Sequence, residues 1–247
     1  SLLEGLPGVE ARFVERDGAT TVKTRVLAGA FGTAKQQILR LDAEPNGSLC
    51  DSVEAALCAE VAKVVDGADG LIISDYGLGD IGPKVRASLT ELFAANPTFV
   101  DSRFALDGFQ GARAVTPNIP EAEALVGFSI QTTSDVDRVG LKLIEILGVD
   151  EVLLTQGRGG MSLYRQEGLA GHVDITGDEE VTDVTGAGDT VMATFALGSV
   201  SGIGSLNAMR LSNVAAGVVV NKLGASTCSH EELLQAGETA GVELEPW

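Results

Sequence analysis

The spacing of apolar and polar residues changes near residue 45 of the chain. Before that point, short stretches alternate apolar with polar positions, which predicts extended segments at 9–16, 20–27 and 36–42. After it, amphipathic stretches of helical period alternate with continuous apolar runs of strand length. Continuous apolar strands that alternate with helices are typical of a doubly wound, mainly parallel α/β sheet with helices on both faces.

The positions of these elements follow from the apolar period and from flanking Gly, Pro, Ser and Asp residues. The predicted helices span 52–65, 83–95, 120–126, 135–147 and 204–221, and a further helix begins after Gly186. The predicted strands span 70–74, 98–101, 151–155, 161–165 and 171–176, and the last two form a hairpin.

Composition limits the kinds of partner that the chain can have. Its 247 residues are 45% hydrophobic and carry a net charge of −18, which argues against nucleic acid or an anionic membrane as the main partner. No apolar run reaches the roughly 18 residues of a membrane span. The cysteines Cys50, Cys58 and Cys228 show no CxxC spacing, which favours free thiols in a reducing compartment. We therefore expect a soluble, cytoplasmic protein.

A glycine-rich turn precedes the helix that begins after Gly186. The turn Gly186-Ala187-Gly188 carries no bulky side chain, and unpaired N–H groups at a helix N-terminus attract anions. Asp189 follows in the first turn, where a carboxylate can accept a proton from an attacking hydroxyl. A tight turn with an acidic helix start would also explain these residues. Neither a GxxxxGK[ST] nor a strand–GxGxxG–helix segment accompanies it, so a P-loop kinase and a Rossmann dehydrogenase are not indicated.

Two segments resemble motifs of the ribokinase/PfkB carbohydrate kinases. Residues 183–190, Asp-Val-Thr-Gly-Ala-Gly-Asp-Thr, resemble the C-terminal signature of that family, and residues 116–123, Thr-Pro-Asn-Ile-Pro-Glu-Ala-Glu, resemble its Asn-x-x-Glu motif. The resemblance implies a ribokinase-like ATP-dependent sugar kinase whose catalytic base is Asp189. It also implies that Asn118 and Glu121 hold Mg²⁺, partly through water. A helix N-terminus with carboxylates facing the helix dipole is equally compatible with the second segment.

Two further segments resemble the nucleotide-binding parts of the same family. Residues 154–161 resemble the strand end and turn beside the nucleotide phosphates and ribose, although a hairpin turn explains their glycines equally well. Residues 211–227 resemble the helix and loop on the adenine side. The implied nucleotide contacts are Asn118, Glu121, Thr155, Gly157, Gly160, Asn213 and Gly224. Asp183 and Thr185, with the loop 224–227, are implied to form a monovalent-cation site that would take K⁺.

The substrate side resembles one group within the family, the D-glycero-β-D-manno-heptose 7-phosphate kinases. Residues 21–29 and 36–42 resemble the β lid of that group, and residues 74–77 and 100–103 fall where it has Ser-Asp-Tyr and Asp-Pro-Lys segments. The resemblance implies phosphorylation of the anomeric hydroxyl of the heptose 7-phosphate, a step toward ADP-heptose and the lipopolysaccharide core. Ser102-Arg103 departs from Pro-Lys but keeps a cation.

The candidate substrate contacts are all charged. Cations suited to a sugar phosphate are Lys23, Arg25, Arg40 and Arg103, and carboxylates suited to sugar hydroxyls are Asp75 and Asp101. Solvated charges on an exposed sheet would explain the cations equally well. Carboxylates are also common where strands end at the crevice of an α/β sheet.

The resemblance further predicts the organisation of the chain as one kinase domain. We expect a partial β lid and substrate-side segment at 1–45 and a nucleotide-binding α/β core at 46–247. The family has further strands, helices and a Gly-Gly-Asn-type sugar segment before this point, so an N-terminal part of the fold is expected to be missing. A nucleotidyltransferase, fused or separate, is a further expected partner.

Alternative functions remain open at the level of sequence. The chain could be another PfkB-type kinase that acts on 2-keto-3-deoxygluconate, a fructose phosphate or a nucleoside. It could also be a catalytically incomplete nucleotide-binding fragment. Exposed lid strands have open edges that a second subunit could cover, so we expect a homodimer that joins lid to lid.

Overall fold

The structure is a computed structural model that describes residues 3–29, 36–45, 47–176 and 183–242. The described residues form two compact units. The first comprises Ser1–Ala68 and Leu78–Leu89, and the second comprises Asp69–Gly77 and Thr90–Trp247. The first unit extends past residue 45, so these units do not coincide with the predicted domain division, which stays a prediction.

The first unit contains a two-stranded antiparallel sheet and a long helix. Strands β1 (Val22–Ala28) and β2 (Gln36–Ala43) pair with each other, and helix α1 (Asp51–Val65) follows them. These three elements confirm the predicted segments. Helix α2 (Pro83–Thr90) is shorter than predicted, because residues 91–95 form turns.

The predicted extended segment at 9–16 forms no strand among the described residues. An extended segment needs a neighbouring strand to satisfy its backbone N–H and C=O groups. The contacts that the structure records for this segment are ion pairs between side chains. Arg12 forms an ion pair with Glu60 at 3.4 Å, and Arg16 forms one with Asp80 at 2.6 Å. The prediction of a strand at 9–16 is therefore wrong for the described structure.

The second unit is built on a six-stranded sheet in the order β3-β4-β5-β6-β7-β8. The strands are β3 (Leu71–Asp75), β4 (Thr98–Ser102), β5 (Ala114–Val115), β6 (Glu151–Thr155), β7 (Met161–Arg165) and β8 (Gly168–Val173). Strands β3 to β6 are parallel, and β7 and β8 are antiparallel additions, which confirms the predicted mainly parallel sheet.

Strand β5 was not predicted, since two residues are too few to show a period. Strand β8 starts three residues before the predicted strand, because the turn after Arg165 contains only two residues.

Five α-helices lie in the described part of the second unit. They are α3 (Ile119–Val126), α4 (Thr133–Leu147), α5 (Ala187–Val200), α6 (Ser205–Val220) and α7 (His230–Thr239). Helices α3, α4 and α7 each begin with a capping box. In this motif the side chain of the residue before the helix accepts a hydrogen bond from the N–H of the third helical residue, whose side chain accepts one from the N–H of the residue before the helix. Helix α7 was not among the predicted elements, although its Ser229 cap is visible in the sequence.

Neighbouring residues of β7 show that helices cover both faces of this sheet. Leu163 is fully buried in a core cluster with Phe195 of α5 and Met209 of α6. Tyr164 points to the opposite face, as successive strand residues do, and its ring lies against Gly140 of α4. The predicted two-sided cover is therefore confirmed for the second unit, and its core lies between the sheet and the helices.

The turn between β6 and β7 contains two glycines with left-handed backbone but different surroundings. A Cβ added at Gly160 would lie 1.9 Å from the Val173 carbonyl oxygen, whereas one at Gly157 would meet nothing within 4 Å. Gly160→Ala should therefore lower the free energy of unfolding by about 3 kcal/mol, from backbone strain and overpacking together. Gly157→Ala should cost only about 1 kcal/mol, from strain alone. Urea unfolding measures both, and equal losses would show that the close approach at Gly160 is not a constraint.

Two simpler properties complete the fold. Within the described ranges, no helix combines the length and the apolar character needed to cross a membrane. Cys50, Cys58 and Cys228 are free thiols, which agrees with the expectation from their spacing.

Candidate active site

A small pocket of about 160 Å³ opens in the second unit where β3 and β4 end and where α3 and α5 begin. Ligands of open α/β sheets bind in this place, outside the carboxyl ends of the strands. The lining residues are Ser74, Asp75, Tyr76, Asp101, Arg103, Glu121, Gly186, Gly188 and Asp189. The pocket thus gathers four carboxylates, one guanidinium and a glycine turn from four separate segments.

The glycine turn forms the N-terminus of α5. Gly186 has φ +85° and precedes the first helical residue, Ala187, and Asp189 lies in the first turn. The Thr190 N–H and hydroxyl both donate to the Gly186 carbonyl oxygen, at 3.0 and 2.9 Å. A Cβ at Gly188 would lie 4.0 Å from a carboxylate oxygen of Asp101 and would point into the pocket. Glycine at 188 therefore keeps the positive end of the helix accessible from the pocket.

Tyr76 contacts the predicted base directly. Its hydroxyl donates to Asp189, with the phenol oxygen 2.7 Å from Oδ2 and 2.9 Å from Oδ1. Burial first, and then the hydrogen bond and charge of Asp189, raise the pKa of the Tyr76 phenol well above its ordinary value. Tyr76 is therefore a hydrogen-bond donor at neutral pH.

Asp75 is held at the end of β3 by two donors. The Gly77 N–H donates to Oδ1 and the Ser102 hydroxyl donates to Oδ2, both at 2.9 Å. The side chain is 7% exposed. Asp75 therefore has a fixed orientation on the wall of the pocket.

Asp101 lies at the end of β4 among other acidic groups. Burial first, and then the charges of Glu121, Asp189 and Asp75, raise the pKa of Asp101 to about 7. A carboxyl group in this state can donate a hydrogen bond when protonated and accept one when ionised. Its protonation therefore depends on what else occupies the pocket.

Asn118 and Glu121 form the capping box of α3. The Asn118 side-chain oxygen accepts from the Glu121 N–H, and Glu121 Oε2 accepts from the Asn118 N–H, both at 3.0 Å. Residue 118 also forms a parallel bridge with Thr155, so the ends of β5 and β6 are adjacent. The predicted alternatives for this segment, a helix cap and a role in the site, are thus both compatible with its geometry.

These two residues also fit a magnesium ion by their chemistry. Mg²⁺ prefers oxygen ligands, keeps several waters and often takes only one or two protein carboxylates. Glu121 lines the pocket and supplies a carboxylate, and Asn118 supplies an amide oxygen beside it. Within the described part of the chain, no group of three or more His, Cys, Asp or Glu is placed to enclose a metal. One carboxylate and one amide oxygen are a ligand set that suits Mg²⁺, which keeps several waters.

Arg103 is the basic residue among the described residues that line the pocket. Its guanidinium carbon lies 5.3 Å from the centre of the Phe104 ring, a cation–π distance. The same ring packs on Gly77, where an added Cβ would lie 2.5 Å from a ring carbon. Phe104, which is 74% exposed, thus links the end of β4 to the end of β3 and holds the guanidinium beside the pocket.

The residues predicted for a monovalent-cation site are brought together. Asp183 Oδ1 accepts from the N–H and the hydroxyl of Thr185, at 2.9 and 2.7 Å, and Oδ2 accepts from the Gly224 N–H at 3.1 Å. The Ser226 carbonyl oxygen lies 3.6 Å from the position of a Cβ at Gly186. The loop 224–227 therefore passes directly beside the glycine turn.

A second cavity, of about 470 Å³, lies between α6 and α7. Val214 and Gly217 of α6 and Ala236 of α7 are among the residues that line it, with Thr176 at one side. The Asn213 amide donates to the Asp174 carbonyl oxygen and to the Thr176 hydroxyl, both at 2.7 Å. Asn213 thus anchors the segment beside the cavity, which is a role that sequence did not predict.

The predicted substrate cations divide between the two units. Arg103 lies in the pocket, whereas Lys23, Arg25 and Arg40 lie on the β1–β2 sheet of the first unit. Lys23 forms an ion pair with Glu44 at 3.9 Å, and Arg40 forms one with Asp42 at 2.9 Å. Arg25 pairs in register with Arg40. Their role in binding stays a prediction.

Ser74 and Tyr76 line the pocket but were not predicted as site residues, and Phe104, beside Arg103, was not predicted either. Tyr76 stood within the Ser-Asp-Tyr-Gly segment, but only its neighbour Asp75 was singled out. Phe104 follows Arg103 directly in the sequence. An aromatic residue next to a lone cation at a strand end is a usable signal for Phe104, and an aromatic residue directly after a strand-end carboxylate is one for Tyr76.

Comparisons with solved structures show the fold that the chain shares with known proteins. Phosphofructokinase-2 from Escherichia coli in complex with substrates and products has a TM-score of 0.70 and 17% identity, and covers 83% of this chain and 67% of that chain. Arabidopsis thaliana ribokinase complexed with ribose and ATP has a TM-score of 0.64 and 21% identity, over 87% of this chain and 68% of that chain. The predicted ribokinase-like fold is confirmed.

Family membership follows from the sequence. Residues 93–232, more than half of the chain, match the pfkB family carbohydrate kinase pattern, and the chain belongs to this family. Bifunctional protein HldE from Trichlorobacter lovleyi is 38% identical over 217 residues, which cover 87% of this chain and 43% of that protein. Bifunctional protein HldE from Geobacter sulfurreducens is 34% identical over 232 residues, with 92% and 46% coverage. The chain spans less than half the length of these relatives.

Proposed function

We propose that the chain is the kinase part of an enzyme that transfers the γ-phosphate of ATP to the anomeric hydroxyl of D-glycero-D-manno-heptose 7-phosphate. The observation that carries the proposal is the placement of Asp189 at the N-terminus of α5, in a pocket at the ends of β3 and β4. The assignment of the substrate rests on the resemblance of the lid and of the strand ends to those of heptose 7-phosphate kinases. The similarity to proteins named HldE supports it.

In this proposal Asp189 accepts the proton of the sugar hydroxyl, so that the oxygen can attack phosphorus. The backbone N–H groups of the turn 186–188 stabilise the negative charge on the transferred group. Asn118 and Glu121 would hold Mg²⁺, which would neutralise phosphate charge when bound. Loop 224–227, fastened to Asp183 through Gly224, forms the proposed K⁺ site beside the same turn.

The nucleotide base has a candidate place in the second cavity. Its lining by small and branched residues of α6 suits a flat, mostly apolar ring. Lys222 binds the Thr227 carbonyl oxygen at 2.7 Å and Glu232 at 2.6 Å, which ties the intervening loop to α7. The hydrogen bond from Lys222 first, and then those with Ser229, lower the pKa of Glu232 to about 2. Thr155, Gly157 and Gly160 are proposed to border the phosphates and ribose.

The sugar is proposed to lie against Asp75 and Asp101, with Arg103 on its phosphate. Arg103→Ala should raise KM for the sugar phosphate about tenfold or more, because one charge-assisted hydrogen bond is lost. Phe104→Ala should raise it about threefold through loss of the cation–π contact, and Phe104→Tyr should restore it. Steady-state kinetics with the sugar phosphate and with the unphosphorylated sugar measure these effects. Equal losses on both sugars would contradict a phosphate contact.

Dimerisation and a second activity complete the proposal. The β1–β2 sheet exposes the apolar residues Val22, Val26, Ile38, Leu39 and Leu41, and a two-stranded sheet is marginally stable by itself. We propose that a second copy covers this sheet, and sedimentation that shows only monomer at micromolar concentration would reject this dimer.

The word bifunctional in the names of the longer relatives supports a fused nucleotidyltransferase. Free thiols and the use of ATP support a cytoplasmic place for the reaction.

A sugar panel tests the proposed substrate. ADP release is measured with Mg-ATP and heptose 7-phosphate, fructose 6-phosphate, 2-keto-3-deoxygluconate, ribose or adenosine. Turnover with heptose 7-phosphate that exceeds all others is the expected result. Turnover only with another acceptor would reject the heptose assignment and keep the kinase. ATP binding by calorimetry without ADP release for any acceptor would instead support the nucleotide-binding alternative.

A further inference from the structure

The contact between Tyr76 and Asp189 has an unusual geometry for a resting base. The phenol oxygen is almost equidistant from both carboxylate oxygens, at 2.7 and 2.9 Å, so it lies near the plane that bisects the carboxylate. The two residues are 113 positions apart and belong to different strand and helix ends. A sugar hydroxyl that gives its proton to Asp189 must approach the same oxygens. The phenol and the acceptor hydroxyl therefore compete for one place.

We propose that Tyr76 occupies the acceptor's place on Asp189 when no sugar is bound, and that it thereby prevents water from being activated for ATP hydrolysis. The inference rests on the proposed kinase function. Tyr76 is in this view a positioning residue that acts through the base, and the sugar hydroxyl displaces it. The energetic loss of its hydrogen bond is offset by the hydrogen bond that the sugar hydroxyl makes to the same carboxylate.

The reaction that Tyr76 prevents is chemically complete without the sugar. A water that reached Asp189 would give it a proton and bond to the γ-phosphorus, the bond to ADP would break, and the products would be ADP and inorganic phosphate. The glycine turn would stabilise charge in this reaction just as in transfer to a sugar. Water is smaller than a sugar and more abundant. A group that occupies the base until the sugar binds would therefore suppress this side reaction.

Three features of Tyr76 suit this role. The side chain is 46% exposed, so the ring has room to move aside. The phenol remains protonated, because burial and the charges of Asp189 and Asp101 outweigh the opposing charge of Arg103 and raise its pKa. Asp75, immediately before it, is held by Gly77 and Ser102, so movement of the ring does not require movement of the strand end.

The chain provides a matched control. It contains two tyrosines, and the other, Tyr164, also donates its hydroxyl to a carboxylate, Asp137 Oδ1, at 2.9 Å. Tyr164 packs against α4 and does not line the pocket. Tyr76→Phe and Tyr164→Phe therefore make the same chemical change, and only the first changes the contact with the base.

The first experiment measures phosphate release from Mg-ATP without sugar, and ADP release with the acceptor that the wild-type chain uses. Tyr76→Phe should raise sugar-independent hydrolysis about tenfold and lower the sugar KM, since one hydrogen bond to a charged group no longer competes. Tyr164→Phe should match the wild type in both rates. If Tyr76→Phe hydrolyses ATP no faster than the wild type, or loses kcat for the sugar without a rise in hydrolysis, the inference is overturned.

A second experiment reads the contact without turnover. Tyrosine labelled with ¹³C at Cζ gives two resonances, which the two Phe variants assign. Asp189→Asn should shift the Tyr76 resonance and leave that of Tyr164 in place, and the acceptor sugar should shift the Tyr76 resonance as well. A Tyr76 resonance that is insensitive to Asp189→Asn overturns the inference by itself. A wild-type chain that transfers phosphate to no sugar overturns the proposed function, and the inference with it.

Discussion

Asp189→Asn is expected to lower kcat for phosphoryl transfer by a factor of about 10² to 10⁴, the range for loss of a general base. An amide has the shape of the carboxylate but cannot take the proton of the sugar hydroxyl. The backbone turn at 186–188 does not depend on the Asp189 side chain, since Thr190 fastens it through the Gly186 carbonyl oxygen. Binding of ATP, measured by calorimetry, should therefore be unchanged.

The control for Asp189→Asn is an Asp→Asn substitution at the amino ends of the strands, away from the pocket. Asp150 precedes β6 and forms an ion pair with Arg113 at 3.2 Å, and it does not line the pocket. Asp150→Asn should leave both kcat and KM as they are in the wild type. Near-normal turnover of Asp189→Asn would remove Asp189 from the role of base. A parallel loss of ATP binding would instead place its side chain in the nucleotide site.

Asp101→Asn is expected to stabilise the protein, and only above acidic pH. The pKa of Asp101 is raised from 3.8 to about 7, because the ionised form is buried among Glu121, Asp189 and Asp75. Below pH 3.8 both the folded and the unfolded chain carry a neutral Asp101. Between the two pKa values the unfolded chain ionises and the folded chain does not, so Asp101 lowers stability progressively. Above pH 7 the full penalty, at most about 4 kcal/mol, is present.

Removing the charge should remove this penalty. Urea unfolding of Asp101→Asn and the wild type at several pH values should show equal stability near pH 4 and a more stable variant at pH 8. Asp150→Asn, at an exposed position, should change stability by less than about 0.5 kcal/mol at either pH. A gain from Asp101→Asn that is the same at both pH values would show that the crowding of carboxylates is not its cause. Stabilisation together with lost turnover would indicate a trade of stability for function.

Local patterns predicted much of the second unit. The limits of β6 and β7 agree with the prediction, because buried runs of Val, Leu and Met are bounded by glycines and charged residues. Helix α4 combines an apolar stripe with the Thr132 capping box, and both are visible in neighbouring residues. The glycine turn before Asp189 was predicted at the N-terminus of a helix for the same reason.

The errors have a common cause. Strand β5 is a strand because β4 and β6 lie on either side of it, and two residues carry no period of their own. The segment at 9–16 has the alternation of a strand but no strand beside it among the described residues. A strand is stabilised by its partners, and the partners are distant in sequence. Local sequence patterns therefore predict a strand at 9–16 that does not form and miss strand β5, which does.

By itself, the sequence determined the class of fold, the family and the residue types of the site. Periodicity, caps and the two motifs around Asn118 and Asp189 are all properties of adjacent residues. Only the tertiary structure decided that the Tyr76 hydroxyl donates a hydrogen bond to Asp189 and that three other carboxylates lie near Asp101. The same holds for the cation–π contact between Arg103 and Phe104. These contacts follow from the order of the strands, which brings the ends of β3, β4, α3 and α5 to one edge of the sheet. That order is set by packing of the whole core and is not written in any single segment.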